Sequence, residues 1–335
     1  MTVVTQASRA RTWRIAVAPA GFAALLCIFY ADAFVLGATG WKVVVFPALA
    51  IPALVGLVIA ARTCRAQLSF DSLDPSLSLA AAAASLVLLR TADLTPVLAI
   101  GIVGVVAGLA QLHPRVVGDR SGCLYAGSFA GACSPLVFPG AGWVLAAGAL
   151  TGLLWMLLKG VLPVIGGRLG ATAFCAVFLV WIVATAGGWD GPGVSPTQLD
   201  GLDRALIIAA ALVAALLTHG LAAAGPMNPV LASALPTVVV TLLAVTLDGP
   251  AGIEGAAIAS AWLTGSFVGM TGREWTARRG LLPLAGLLTG LYVIGFEPEL
   301  GGLGGDLGTT ACIAVLASLG LLEHLRRLRA TPRPS

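Results

Sequence analysis

The chain has 335 residues, of which 58% are hydrophobic and only 10% are charged, and its mean hydropathy is +0.97. A soluble fold of this length does not carry so little charge, which excludes a soluble enzyme or binding domain. The net charge of +4 is too small to indicate nucleic-acid binding. We therefore expect an integral membrane protein whose first partner is the lipid bilayer.

A transmembrane helix needs about 20 predominantly apolar residues. Segmenting the chain by that length, and by its Pro, Gly and charged residues, predicts an all-α polytopic protein of the bacterial plasma (inner) membrane. The predicted spans are residues 14–37, 42–61, 76–92, 95–112, 121–138, 141–158, 169–188, 204–223, 229–247, 252–271, 280–297 and 308–325.

The first predicted span follows Arg9, Arg11 and Arg14, as the apolar region of a signal peptide would. At residues 14–37 it is longer than such a region, so we interpret it as a membrane helix. Asp32 lies in its outer third. A carboxylate there either belongs to a pathway, where it could couple a proton or an ion, or sits at the membrane interface.

The pattern Gly-Ser-Phe-x-Gly occurs twice in the chain. Residues 127–131 match residues 265–269, and the same offset of 138 residues aligns two further segments downstream. Upstream, Pro96 matches Pro229 at an offset of 133. A duplicated membrane unit is typical of many transporters and channels.

Both motifs lie in spans that we expect to be interrupted, because Gly and Pro at membrane depth free backbone groups that hydrocarbon cannot satisfy. Paired interrupted segments indicate a transport site near the bilayer midplane, and helix N-termini directed at it would favour an anion or a polar neutral solute. The other interpretation is a packing motif, since small residues let membrane helices approach closely. The predicted pathway residues of the motifs are Ser128, Ser266, Phe129, Phe267, Gly127, Gly131, Gly265 and Gly269.

One segment after the first motif resembles a known family. Residues 131–139 contain Ser134-Pro135-Leu136-Val137-Phe138-Pro139, followed by a Gly- and Ala-rich span that ends at Gly152. This is similar to the Ser-Pro-Leu-x-x-Pro segment of the HPP membrane-protein family, although the eponymous His-Pro-Pro is missing from this chain. Some members of that family are implicated in nitrite movement, so the resemblance implies a small anion as substrate.

A second repeated element places glycines at the start of a span. Gly166-Gly167-Arg168-Leu169-Gly170 corresponds to Gly304-Gly305-Asp306-Leu307-Gly308. Two successive glycines here predict a tight turn into a helix. Thr172 and Thr310 follow in the two copies, and they either contact the ligand in the pathway or cap neighbouring helices.

Two further ionisable residues are candidates for proton or ion coupling. Glu254 begins the tenth predicted span, and His219 lies near the end of the eighth. A membrane carboxylate or an imidazole that titrates near neutral pH could carry a coupled proton. The alternatives are a carboxylate at the interface and a solvated histidine. The six cysteines form no Cys-x-x-Cys pair and have no neighbouring His, so we expect no metal, disulfide or cofactor.

The distribution of Lys and Arg along the chain predicts how the protein is oriented in the membrane. If the N-terminus is cytoplasmic and each span crosses once, every Lys and Arg except Lys42, Arg90 and Arg204 lies inside, which is sixteen of 19. The inside residues include Lys159 and the arginines of 273–279, which we assign to topology and to anionic headgroups. The C-terminus is then cytoplasmic too.

In this orientation the two Gly-Ser-Phe motifs run in opposite directions, which requires an odd number of spans in each repeat. We predict five. Residues 69–190 form the first repeat and 191–328 the second, inverted repeat. Residues 1–68 add an N-terminal tail and two extra helices, and 329–335 form a cytoplasmic tail.

These features favour a channel or transporter for a small polar or anionic solute, with its site between the two motifs. A membrane subunit or scaffold of a larger complex is the second hypothesis, and it would require a partner subunit. An intramembrane enzyme acting on lipid is the third, but it usually needs clustered Asp, Glu or His residues, which no predicted span contains. The small-residue surfaces also permit a homo-oligomer.

Overall fold

The structure is a computed structural model. It describes residues 19–31, 41–64, 71–113, 120–134, 136–189, 199–225, 227–247, 253–296 and 302–330. This part of the chain is helical. Its helices are α1 (Pro19–Ala31), α2 (Lys42–Ala61), α3 (Leu73–Thr91), α4 (Pro96–Gln111), α5 (Ser121–Gly131), α6 (Ala141–Leu157), α7 (Arg168–Ala186), α8 (Gly201–Ala224), α9 (Pro229–Leu247), α10 (Gly255–Gly269), α11 (Arg273–Thr276), α12 (Leu281–Gly295) and α13 (Asp306–Ala330).

Six of the helices in the described ranges are long and apolar enough to cross a membrane, namely α2, α3, α7, α8, α9 and α13. The apolar helices α1, α4, α6, α10 and α12 are shorter, with 10–17 residues each. The helical content and the six long apolar helices are consistent with a helical membrane protein, as the composition predicts. Each predicted span overlaps one helix of the described residues, although α5 ends well before residue 138, and α11 is a short additional helix.

The motif helices differ from the interrupted spans that we expected. α5 is continuous from Ser121 to Gly131, and α10 is continuous from Gly255 to Gly269. The last glycine of each motif is the last helical residue, so the helix ends there instead of breaking inside. At about 1.5 Å per residue, the 11 residues of α5 span only about 16 Å, roughly half of a hydrocarbon core.

Glycines of α5 allow it to pack backbone to backbone on α3. A Cβ atom added at Gly127 would lie 2.2 Å from the carbonyl oxygen of Ser78, and one at Gly131 would lie 2.1 Å from that of Ala82. Residue numbers rise together along this contact, so α5 runs parallel to α3. Only glycine fits at such a distance, which is the close approach that small residues permit in membrane helices.

The same contact recurs between α10 and α8. A Cβ atom at Gly265 would lie 2.1 Å from the carbonyl oxygen of Ala211, and one at Gly269 would lie 2.5 Å from that of Ala215. The two glycines of α10 are offset by 138 residues from the two glycines of α5. Ala211 and Ala215 are offset by 133 residues from Ser78 and Ala82. These are the two offsets of the sequence repeat.

The remaining helices pair in the same corresponding way. α6 packs on α3 through Gly148 and Gly152, and α12 packs on α8 through Gly286 and Gly290. α4 packs antiparallel on α9, and α7 packs antiparallel on α13. Two pairs of helices that correspond in the sequence repeat, α4 with α9 and α7 with α13, therefore pack in opposite directions.

Candidate functional site

An aromatic cluster lies where α5 and α10 meet. The ring centroids of Phe129 and Phe267 are 5.1 Å apart with the rings tilted by 70°. Tyr125 lies 4.7 Å from the first ring and 5.8 Å from the second. All three side chains are buried. The tertiary structure thus brings together the two phenylalanines that the sequence pattern singles out.

Both phenylalanines lie in the last turn of their helices, so carboxyl ends rather than amino ends of α5 and α10 adjoin this cluster. Helix carboxyl ends carry partial negative charge. The amino ends of α5 and α10, which would favour an anion or a polar neutral solute, are therefore not directed at this cluster.

The motif serines are fully buried and use their hydroxyls locally. Ser128 Oγ donates to the carbonyl oxygen of Tyr125 at 2.7 Å, and Ser266 Oγ donates to that of Leu263 at the same distance. Ser266 Oγ also lies 2.7 Å from Ser233 Oγ, which in turn is 3.2 Å from the Tyr125 hydroxyl. A short buried polar chain therefore lies beside the aromatic cluster.

Sequence reasoning did not select Tyr125 or Ser233. Their counterparts in the other half are the apolar residues Leu263 and Ile100, so the repeat gave no signal for them. The four motif glycines lie at the contacts with α3 and α8 described above. Their position is the one that the packing interpretation predicts.

The two Gly-Gly turns pack against the ends of α5 and α10. A Cβ atom at Gly304 would lie 2.1 Å from the carbonyl oxygen of Phe129, and one at Gly166 would lie 2.5 Å from that of Phe267. The next glycine in each turn has a left-handed backbone, with φ of +79° at Gly167. Each turn also contacts the start of the opposite helix, where α7 begins beside α13.

Two backbone hydrogen bonds complete this junction. The amide of Ser134 donates to the carbonyl oxygen of Gly302 at 2.9 Å, and the amide of Gly272 donates to that of Val164 at 2.8 Å. Each bond joins the segment after a motif helix to the turn of the opposite half. These backbone hydrogen bonds therefore join the two halves of the junction through main-chain groups.

A cavity of about 260 Å³ lies at one end of the bundle and reaches Phe129. It is enclosed by the start of α4, the end of α5, the end of α9, the start of α10 and the turn before α13. Its polar lining consists of four hydroxyls and one carboxylate, namely Thr95, Ser134, Thr241, Ser260 and Asp306. The described residues that line it include no Lys, Arg or His.

Thr241 has an unusual hydroxyl. It is 1% exposed, and its Oγ1 has no hydrogen-bond partner in the described part of the chain. Neighbouring threonines in helices bond to the preceding turn, as Thr237 Oγ1 does to the carbonyl oxygen of Ser233 at 2.7 Å. A buried hydroxyl without a partner is costly unless a ligand or water satisfies it. Its place on the cavity wall makes it a candidate ligand contact.

Asp306 supplies the carboxylate of the cavity. It is the first residue of α13, and its Oδ1 accepts a hydrogen bond from the Leu307 amide at 2.6 Å. An acidic side chain in the first turn stabilises the positive end of a helix. The local sequence at Asp306 predicts only a tight turn into a helix, and nothing in that pattern indicates a cavity.

Thr172 and Thr310 serve their own helices. Thr172 Oγ1 donates to the carbonyl oxygen of Arg168 at 3.0 Å, and Thr310 Oγ1 donates to that of Asp306 at 3.1 Å. Neither is among the described residues that line the cavity.

Glu254 and His219, two of the candidate coupling residues, are not among the described residues that line the cavity. The backbone amide of Glu254 donates to Asp203 Oδ1 at 3.1 Å, at the start of α10. His219 Nε2 lies 3.4 Å from Thr276 Oγ1. Asp32 lies outside the described residues.

A buried ion-pair cluster lies at the other end of the bundle, and sequence analysis missed it. Asp74 is fully buried in the first turn of α3, with Lys159 Nζ 2.6 Å from its Oδ2 and Arg120 Nε 3.5 Å from its Oδ1. Arg120 also pairs with Asp71, and this hydrogen bond lowers the pKa of the Asp71 carboxyl. Lys159, which we assigned to topology, is thus also an internal ion-pair partner.

Comparison of the chain with protein-family models, with curated proteins and with solved structures gave no match.

Proposed function

We propose that this protein moves a small polar solute across a membrane, through a pathway that passes between the Gly-Ser-Phe segments. The observation that carries the proposal is the cavity, because it combines hydroxyls and a carboxylate inside an otherwise apolar helical bundle. Polar groups at such a position are expensive and typically mark a substrate or ion pathway. The protein would lie in the bacterial plasma membrane with both termini inside.

The proposed architecture is twelve spans, with two inverted repeats of five preceded by two extra helices. Support comes from glycine contacts that recur at the offsets of 138 and 133, and from the antiparallel packing of α4 on α9 and of α7 on α13. In inverted-repeat transporters the substrate site lies at the interface of the repeats. In the proposed architecture Phe129 and Phe267 would occupy that interface.

We assign the two phenylalanines, with Tyr125, to a closed gate. Phe129 lines the cavity, whereas neither Phe267 nor Tyr125 is among its described lining residues. The solute would enter the cavity from the outside and cross when these rings separate. The Tyr125–Ser233 hydrogen bond of 3.2 Å would have to be broken or exchanged in that movement.

The cavity chemistry favours a neutral or cationic solute that donates hydrogen bonds. Thr241 Oγ1 and the Asp306 carboxylate can both accept a hydrogen bond, and a carboxylate repels an anion in a site of low dielectric. No basic side chain among the described lining residues would compensate. We therefore propose a neutral or cationic solute instead of the small anion that the HPP resemblance implies. Nitrite is included among the tested solutes to decide between these two alternatives.

The test is flux into liposomes that contain the purified full chain. The solute panel is urea and glycerol as neutral donors, methylammonium as a cation, and nitrite and formate as anions. We expect uptake of a neutral or cationic member, and a loss of about tenfold in Thr241→Val or Asp306→Asn, the size of effect that about 1.4 kcal/mol produces. Phe129→Ala should raise the leak of the same solute.

Thr246→Val is the matched control, because Thr246 is an exposed residue of the same helix whose hydroxyl bonds to the Leu243 carbonyl oxygen at 2.7 Å. It should keep full flux. If no solute moves, or if the control loses as much flux as Thr241→Val, the transport proposal fails. Uptake of nitrite alone would reject the assignment of Asp306 to solute selection.

A further inference from the structure

We propose that a groove at the end of the bundle opposite the cavity binds the phosphate headgroup of an acidic phospholipid. The groove has a volume of about 420 Å³ and lies between the segment after α11 and the last turns of α13. Its lining residues are Arg278, Arg279, Arg326 and Arg329, together with Leu322, Glu323 and Leu325.

The groove is strongly basic. Its single carboxylate is already paired, because Glu323 Oε1 accepts a hydrogen bond from Arg327 Nε at 3.1 Å. None of the ion pairs among the described residues involves any of the four arginines that line the groove. Guanidinium groups match phosphate oxygens with two parallel hydrogen bonds, so several of them together favour a phosphate over other anions.

One wall of the groove is fixed. Trp275 is 4% exposed, and its indole Nε1 donates to the carbonyl oxygen of Pro163 at 3.3 Å. The guanidinium carbon of Arg278 lies 5.6 Å from the centre of this indole ring. A cation held over a buried indole loses less conformational freedom when it binds a ligand.

A lipid is favoured over free phosphate because apolar side chains lie beside the arginines. Leu325 lines the groove and is 46% exposed, and Leu328 on the next turn is 60% exposed. With 25 residues, α13 is about 37 Å long, which exceeds a hydrocarbon core of about 30 Å. Its last turns therefore reach headgroup level, where basic pockets recognise acidic lipids.

The experiment measures thermal unfolding of the purified full chain in neutral detergent, with added phosphatidylglycerol, phosphatidylcholine or inorganic phosphate. We expect phosphatidylglycerol to raise the Tm by about 5 °C over phosphatidylcholine. The variant R326Q/R329Q should lose at least half of this difference. Both side chains are exposed on the final turns of α13, so the substitution leaves the bundle intact.

The matched control is R90Q/R204Q, which removes two exposed arginines from the opposite end of the bundle. It should keep the full response to phosphatidylglycerol, and native mass spectrometry should detect the bound lipid on wild type and control but not on R326Q/R329Q. Equal stabilisation by both lipids, or an equal loss in variant and control, would overturn the proposal. Equal stabilisation by inorganic phosphate would show a phosphate site and reject the lipid. Since the readout is lipid binding, the result is independent of solute flux.

Discussion

The two Gly-Gly turns have the same kind of backbone conformation, but they differ in the charged residue that follows the second glycine. Gly167 and Gly305 both have positive φ, at +79° and +94°, and each contacts the start of the opposite helix. The following residue is Arg168 in one turn and Asp306 in the other. Arg168 Nη1 donates to the carbonyl oxygen of Val161 at 3.0 Å, whereas Asp306 faces the cavity.

The two turns therefore have the same packing role, and only the side chain that follows them differs in chemistry. The glycines fix how α7 meets α13, and they do so in the same way on both sides. The side chain after each glycine is free to differ because the backbone contact does not depend on it. The cavity therefore has a carboxylate at the position where the other turn has a guanidinium, which is bonded within its own half and lies over Trp155.

The largest expected effect comes from changing the shared glycines. Gly167→Ala would place a Cβ 2.2 Å from the carbonyl oxygen of Gly308, and Gly305→Ala would place one 2.3 Å from that of Gly170. A left-handed backbone and a clash with main chain together cost roughly 2–5 kcal/mol. Thermal unfolding in detergent should show similar losses for both variants.

Gly220→Ala is the control, because Gly220 lies within α8 and a Cβ there has nothing within 4 Å. It should keep or slightly raise the stability. A large loss in only one of the two turn variants would break the equivalence of the two turns.

A smaller effect distinguishes two corresponding buried positions in α3 and α8. Asp74 is buried in α3, whereas the corresponding residue of α8 is the buried apolar Ile207. Lys159→Met removes the ammonium 2.6 Å from the Asp74 carboxylate, and the loss of one partner of a buried pair costs about 3 kcal/mol. Unfolding measurements should show this loss.

Adding Asp74→Asn to that variant should recover part of the stability, because the amide carries no charge to leave uncompensated. Arg204→Met, which removes an exposed cation from α8, should have little effect. If the double variant is less stable than Lys159→Met by the full cost of a second buried defect, the charge argument is wrong.

The smallest effect is a pH dependence at Asp71. Its hydrogen bond from Arg120 lowers the pKa of the folded carboxyl below the ordinary value of 3.8. The stabilisation is therefore complete above that value and disappears as pH falls through the lower folded pKa. The Tm of wild type should approach that of Asp71→Asn only below about pH 4. A constant difference between the two down to the acid limit would contradict this assignment.

The sequence by itself predicted a helical membrane protein, and the described helices are consistent with that prediction. Apolar runs between charged and Pro- or Gly-containing segments predicted a span that overlaps each described helix except α11, because burial of apolar side chains and satisfaction of backbone groups are local demands in a bilayer. The glycine repeats also indicated which residues pack closely. They did not show that α5 ends at Gly131, since a glycine at the end of a helix and one within it look alike in sequence.

Only the tertiary structure decided which polar groups come together. Thr241 and Asp306 line the same cavity although 65 positions separate them in the sequence. Arg278 follows α11 and Arg326 lies in α13, yet both line the same groove. Such pairings depend on the angle and register at which helices pack, which the helical period alone does not specify. Composition is therefore enough to predict a membrane protein, whereas the candidate sites depend on how the helices pack.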